Sequence, residues 1–136
     1  MIPQNIQPQD VWQKMQQNTD CFLVDVRSSM EFLFVGHPEG AVSIPWIDEP
    51  DWDINPNFTK EIRQLLLGGG SGDKQPDVFL ICRSGKRSHE AGILLLQNGI
   101  KNVFNVEGGF EGERDHNARR STINGWRFAG LPWQQC

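Results

Sequence analysis

Apolar positions along the chain fall into short runs, separated by polar, glycine-rich or proline-rich stretches. In "QPQDVWQKMQQN" (residues 7–18), Val11, Trp12 and Met15 share one side of a helical projection, the pattern of a short amphipathic helix. "CFLVDV" (21–26) is an apolar run broken by one carboxylate and predicts a buried strand. In "SSMEFLFVG", Ser28 or Ser29 stands at an N-cap position, and Gly36 ends a short helix. "AVSIPW" (41–46) predicts a strand closed by Pro45, followed by the acidic, turn-rich "IDEPDWDINPNF". "TKEIRQLLL" (59–67) has helical spacing, and "GGGSGDKQP" (68–76) is a loop whose composition makes it the expected mobile point. "DVFLIC" (77–82) is the strongest strand, and the helix "SHEAGILLLQNG" runs from Ser88 to a stop at Gly99. "KNVFNV" (101–106) predicts a fourth strand, turned by Gly108-Gly109. The polar "EGERDHNARRSTIN" then leads to a last helical turn in "GWRFAGLPW". No repeat is present.

Strands alternating with helices predict an α/β domain with a largely parallel sheet. Such sheets bind ligands at the carboxyl ends of their strands. Cys82 holds that position on the strongest strand.

Composition narrows the classes. A chain of 136 residues with 38% hydrophobic and 22% charged residues suits one globular domain, with a core at about 5–112 and an extension at 113–136. No apolar run approaches the length of a membrane span. The opening "MIPQNIQPQD" does not read as a signal peptide, so a cytoplasmic location is expected. A formal net charge of −4 argues against nucleic acid as a partner. Cys21, Cys82 and Cys136 are odd in number and widely spaced, which suits neither a disulfide framework nor a zinc site. Thiols in a reducing compartment fit better.

The chemistry concentrates in "VFLICRSGKRS" (78–88), where an apolar strand runs into a cysteine followed by Arg83, Ser84, Gly85, Lys86, Arg87 and Ser88. A tight turn between strand and helix curls backbone N–H groups inward as an anion nest. The helix N-terminus adds unsatisfied donors and about 0.3–1 kcal/mol of preference for an anion, and Gly85 gives access to positive φ. Together with three cations, this cradle favours a Cys82 thiolate and an anionic substrate over the bland reading of a small buried apolar side chain.

These residues resemble the single-domain rhodaneses, a sulfurtransferase family. "CRSGKRS" is similar to the family's active-site loop. "LVDVRSSMEF" resembles its Asp-Val-Arg strand end and Glu-Phe pair, here Asp25, Arg27, Glu31 and Phe32. "GHPEGAVSIP" resembles its Gly-His-Ile-Pro-Gly-Ala segment, and "NVEGGFEG" its last strand and Gly-Gly turn. The resemblance covers roughly residues 20–112. It departs at Pro38 and Glu39, and in the polar stretch inserted before Trp126, where family members often place a tryptophan soon after the Gly-Gly turn.

The resemblance implies a three-layer fold with a central parallel sheet of about five strands flanked by helices. It also implies a two-step reaction in which Cys82 takes sulfur from a small anionic donor such as thiosulfate and passes it to cyanide, a thiol or a protein acceptor. Residues 83–88 would cradle the persulfide, with Arg83 and Lys86 attracting the donor. Arg87 would close the loop, pairing with a carboxylate such as Asp25. No metal or organic cofactor is implied, nor a membrane, and a monomer or weak homodimer is expected.

Asp25 and Arg27 are expected to hold loops through charge-assisted hydrogen bonds, with substrate contact as the alternative. His37 reads as a turn residue, His89 as a solvated first-turn residue, and His116, Arg119 and Arg120 as a solvated loop or an acceptor dock. Cys21 reads as core and Cys136 as an exposed terminus. Trp46, Trp52, Trp126 and Trp133 read as packing, or as a rim to the pocket. Two rival functions stand beside sulfur transfer. Cysteine-loop phosphatases and the arsenate reductases similar to them use five residues between cysteine and arginine, where Cys82 and Arg87 enclose the four of "RSGK". A persulfide carrier or interaction module is the other.

Overall fold

The computed structural model describes residues 1–17, 20–69 and 74–135. Its elements are β1 (Gln4–Ile6), α1 (Pro8–Gln17), β2 (Cys21–Asp25), β3 (His37–Pro38), β4 (Val42–Ser43), α2 (Phe58–Leu67), β5 (Asp77–Ile81), α3 (Lys86–Gln97), β6 (Val103–Val106) and β7 (Trp133–Gln134). Five strands form one sheet in the order β1-β6-β5-β2-β4, with every pairing parallel. The centre is β2 beside β5, in register from Cys21↔Asp77 to Asp25↔Ile81.

Alternation along β5 divides the core. Val78, Leu80 and Cys82 face a cluster with Phe58, Ile62, Ala91 and Leu95, which brings α2 and α3 onto one side. Phe79 and Ile81 face the other side with Val11, Phe110 and Trp126. Both sides of β5 are covered, which is why its sequence is continuously apolar. The α/β fold with a five-stranded parallel sheet is as expected.

Several local features differ from expectation. β1 was not foreseen. Gln4 and Asn5 carry no strand signal, and the strand exists through its pairing with β6 from Gln4↔Phe104 to Ile6↔Val106. Only Val42–Ser43 of residues 41–46 is strand, although Ile44 N–H and Trp46 N–H still donate to Asp25 O and Val26 O at 3.1 and 2.9 Å. The segment after Ser28 is helical but widens into a π-type turn at Glu31–Val35, closed by Gly36 N–H donating to Glu31 O at 3.2 Å. Helix α3 starts at Lys86 rather than Ser88, so only Arg83 to Gly85 turn the chain.

The expected last helical turn is present as one isolated turn, with Ala129 N–H donating to Gly125 O at 3.0 Å, and it does not extend into a helix. Residues 125–130 form turns, and β7 pairs antiparallel with β3 (His37↔Gln134, Pro38↔Trp133). Residues 70–73 of the glycine-rich loop lie outside the described residues. Among the described residues, no helix is long and apolar enough to cross a membrane.

The polar stretch leaves the fold at Gly112 and returns at Gly125. Trp126 then docks fully buried, its N–H donating to Gly109 O at 2.8 Å and its indole to Pro132 O at 2.9 Å. The tryptophan therefore sits against the Gly-Gly turn in space, although the insertion separates the two in sequence.

Candidate active site

Cys82 follows the last residue of β5 and is 1% exposed. Gly85 adopts φ 110, which brings its N–H to 3.1 Å from the Cys82 Sγ. The Ser88 hydroxyl, in the first turn of α3, lies 3.2 Å from the same sulfur. The first N–H groups of a helix have no intrahelical acceptor, so the start of α3 adds donors beside Sγ. Two residues of the expected cradle, Gly85 and Ser88, thus converge on one atom.

A residue missed by the sequence reading organises both. Asn105 on β6 is 6% exposed. Its Nδ2 donates to Gly85 O at 3.0 Å, and its Oδ1 lies 2.5 Å from Ser88 Oγ. The single Ser88 proton therefore has Asn105 Oδ1, Sγ and Gly85 O (3.3 Å) as competing acceptors. The loop is also pinned by the chain after β6. Phe110 N–H donates to Cys82 O at 2.8 Å, and Glu111 and Gly112 N–H donate to Arg83 O at 3.0 and 3.2 Å. Gly109 permits this approach, since a methyl group there would sit 2.5 Å from Cys82 O.

The three cations have separate surroundings. Arg87 is clamped by Glu31, with Nη1–Oε1 at 2.8 Å and Nη2–Oε2 at 2.9 Å. The expected pairing with Asp25 does not occur. Arg27 takes both Asp25 oxygens, through Nε at 2.9 and 3.2 Å and Nη2 at 2.6 Å, which leaves Glu31 for Arg87. Burial raises the Glu31 carboxyl, but the hydrogen bonds and charge of Arg87, the Ser28 N–H and the charge of Arg27 outweigh it and hold the group below its ordinary value. The Glu31 hydrogen bonds in turn raise Arg87. Arg83 is half-exposed, its Nε 3.3 Å from Glu111. Lys86 is exposed and makes no ion pair among the described residues. Ser84 is half-buried.

Asp25 and Arg27 are both fully buried. Arg27 also donates to Gly36 O at 2.5 Å and stacks 4.6 Å from the Phe110 ring. Enclosed in this way, the pair frames the loops and does not face solvent at the cradle.

The other candidates lie apart. His37 donates from Nδ1 to Phe32 O at 2.8 Å and stacks on the Phe32 ring at 3.8 Å. His89 is half-buried in the first turn of α3, and His116 is exposed. Cys21 opens β2 half-buried, and Cys136 lies outside the described residues. Trp46 and Trp126 are core, whereas Trp52 and Trp133 are exposed, Trp133 standing edge-on to Phe110 at 5.7 Å.

Asp48 accepts from Ser29 N–H and Oγ at 2.9 and 2.6 Å. Burial pushes its carboxyl up, but hydrogen bonds from Glu49 and Ser29 bring it down to about 2. It lines an acidic cleft of about 310 Å³ with Glu49, Asp51, Asp53 and Glu61. That cleft repels anions, and none of the Cys82 loop lines it. Among the described residues, no three His, Cys, Asp or Glu side chains converge in a way that would hold a metal ion.

Known proteins resemble this chain in sequence and fold. A rhodanese-like domain model matches residues 7–115. An uncharacterised protein of Rickettsia rickettsii is 31% identical over 141 residues, spanning 98% of this chain and 99% of its own. The thiosulfate sulfurtransferase GlpE of Haemophilus influenzae is 32% identical over 107 residues, spanning 79% of this chain and 84% of its own. The crystal structure of Rv0390 from M. tuberculosis superimposes with a TM-score of 0.82 at 35% identity, covering 100% of both chains. With the Cys82 loop at the carboxyl edge of the parallel sheet and these matches over most of its length, the chain belongs to the rhodanese-like domain family.

Proposed function

We propose that the protein is a sulfurtransferase in which Cys82 carries the transferred sulfur as a persulfide. The observation that supports this best is the convergence of Gly85 N–H (3.1 Å) and Ser88 Oγ (3.2 Å) on one buried sulfur. Such donors stabilise an anionic sulfur without solvent reorganisation, as an oxyanion hole does for oxygen. The Cys82 thiolate attacks the outer sulfur of thiosulfate. The donor's S–S bond breaks, and sulfite leaves with the electron pair. The terminal sulfur of the persulfide then takes the N–H groups at the start of α3. A thiolate or cyanide attacks that sulfur, and Cys82 departs as thiolate.

Lys86 and the half-exposed Arg83 attract the anionic donor, while Arg87, clamped by Glu31, fixes the first turn of α3. The three-residue turn from Cys82 to Lys86 suits a single sulfur better than a tetrahedral oxyanion, which weighs against a phosphatase. The reading places the protein in a reducing compartment such as the cytoplasm, where Cys82 stays available.

Intact mass after incubation with thiosulfate tests it. The wild type gains one sulfur and loses it to cyanide, and Cys82→Ser gains none. Sulfur gained equally by the variant sinks the assignment. Slow turnover with small acceptors despite full loading would mark a dedicated carrier.

A further inference from the structure

We propose that the segment 113–127 adds a second anion subsite beside the Cys82 loop, built from Arg83, Arg120 and Arg127 with Arg114 at its edge, which selects acceptor thiols that carry carboxylates. The proposal rests on sulfur transfer through Cys82.

The subsite centres on Glu111, whose side chain is 12% exposed. Arg83 Nε lies 3.3 Å from its Oε2 and Arg127 Nη2 lies 3.7 Å from its Oε1. Arg120 Nη1 donates to Gly112 O at 2.6 Å. Burial and the charges of Arg83 and Arg114 lower Arg120 from its ordinary value, with Glu111 only partly offsetting them. Two guanidinium groups thus flank one carboxylate, a third is anchored on the carbonyl of the next residue, and the charge of Arg114 is felt at that third group, in a chain whose formal net charge is −4. Like charges brought together this way repel, and a bound anion relieves the repulsion.

The segment's own carboxylates, Glu113 and Asp115, line a surface depression with Arg114 and hydrogen-bond within the segment. Asp115 accepts from Asn117 and Arg119 N–H at 2.8 and 3.0 Å and from Thr122 Oγ1 at 2.7 Å. Glu113 meets Asn124 Nδ2 at 3.4 Å. The base is stapled to the site, with Ser121 N–H donating to Glu111 O at 2.7 Å and Arg127 Nε to Ser121 Oγ at 3.1 Å. The arginines therefore stand on a built loop. Among the described residues the two terminal nitrogens of Arg83 make no hydrogen bond to protein, so a planar donor fork next to Cys82 in the chain is open to a carboxylate.

Geometry assigns the subsite to the acceptor. Thiosulfate carries its oxygens on the sulfur bonded to the transferred one, so its charge stays close to the Cys82 cradle. Arg120 and Arg127 are anchored through Gly112 and Ser121, outside the cradle, where they meet charges set back from the reacting sulfur by a carbon skeleton. In the transfer, the acceptor thiolate attacks the terminal persulfide sulfur, a new S–S bond forms on the acceptor, and Cys82 leaves as thiolate.

The test loads Cys82 with thiosulfate, removes the donor, and follows loss of one sulfur by intact mass. Mercaptosuccinate, with two carboxylates, is compared with neutral 2-mercaptoethanol. The ratio of their discharge rates removes intrinsic differences between the thiols. In the wild type this ratio falls as salt rises from about 20 to about 300 mM, because exposed charges are screened. It drops about fivefold or more in Arg120→Ala and in Arg114→Glu, and Arg120→Lys stays within about twofold of wild type. Arg114 is exposed, so its variant keeps the test valid if Arg120→Ala fails to fold. A ratio unchanged across all variants and salt concentrations overturns the subsite while leaving the persulfide intact. If the wild type never gains sulfur, sulfur transfer fails, and the acceptor subsite falls with it.

Discussion

Replacing Glu31 tests the clamp that holds the first turn of α3. One carboxylate has two tasks. It grips Arg87 through two hydrogen bonds of 2.8 and 2.9 Å, and it forms a capping box with Ser28. In that box Ser28 N–H and Oγ donate to Glu31 Oε1 at 3.3 and 3.1 Å, and Glu31 N–H donates to Ser28 Oγ at 3.3 Å. Hydrogen bonds to charged groups contribute about 1.5–3 kcal/mol. Arg87 and Glu31 keep 26% and 23% exposure, so solvent screening places this pair at the low end, about 1.5 kcal/mol.

Glutamine can still close a capping box, so Glu31→Gln should cost about 1.5 kcal/mol. Glu31→Ala adds the lost cap and should cost about 2.5 kcal/mol. In urea, both should lower the unfolding midpoint with an unchanged slope. A double-mutant cycle with Arg87→Gln should return a coupling near 1–1.5 kcal/mol. The pH dependence has a defined sign. Glu31 titrates lower in the folded chain than its ordinary value of 4.5. Its contribution is therefore complete above that value and is lost as pH falls through the folded one. The gap between wild type and Glu31→Gln should be full at neutral pH and should close below pH 4.5. A gap independent of pH, or a coupling under about 0.5 kcal/mol, would refute the clamp.

Four other substitutions probe the frame. Asn105→Ala removes the bonds to Gly85 O and Ser88 Oγ, and should cost about 1–2 kcal/mol and slow sulfur loading by about tenfold, read by time-resolved intact mass. Gly109→Ala combines φ 63 with a methyl 2.5 Å from Cys82 O, and should cost more than about 3 kcal/mol in denaturant. Gly99→Ala, also at positive φ but meeting nothing within 4 Å, should cost only about 1–2 kcal/mol by the same measurement. Trp126→Ala empties a fully buried site and should cost about 3–5 kcal/mol, with faster amide exchange in β7 than in β5.

The elements legible in the sequence share one property: their cause is local. β2 and β5 are continuous apolar runs because both faces are covered, and the helical spacing of Ile62, Leu65 and Leu66 on α2 reports one buried side. What was not legible depends on distant chain. The three residues of β1 are strand because β6 lies beside them, and β7 exists because β3 meets it. The apolar spacing of "GWRFAGLPW" reads as helix. It makes a single such turn, Ala129 N–H to Gly125 O, and stops, because its tryptophan is drawn into the core, its indole donating to Pro132 O, and the chain bends around it. Tertiary packing overrides a short local preference wherever the segment is too brief to hold itself.

The site divides along the same line. Cys82, Gly85 and Ser88 lie within one turn of chain, and their convergence follows from a strand ending where a helix begins. The partner of Arg87 is a long-range choice between carboxylates, and spacing alone does not make it. Yet two signals were present in the residues. Ser28-x-x-Glu31 is the capping-box pattern, which places Glu31 at the start of a helical turn beside the end of β2. Asn105 shares its face of β6 with the core residue Val103, an amide where the alternation calls for an apolar side chain. A buried amide is retained only when its hydrogen bonds are made, so such a position points to something polar beneath the sheet's edge that needs both a donor and an acceptor. Gly85 O and the Ser88 hydroxyl are those groups. The polar residue that breaks the apolar pattern of β6 is therefore the one that ties the neighbouring strand to the sulfur cradle.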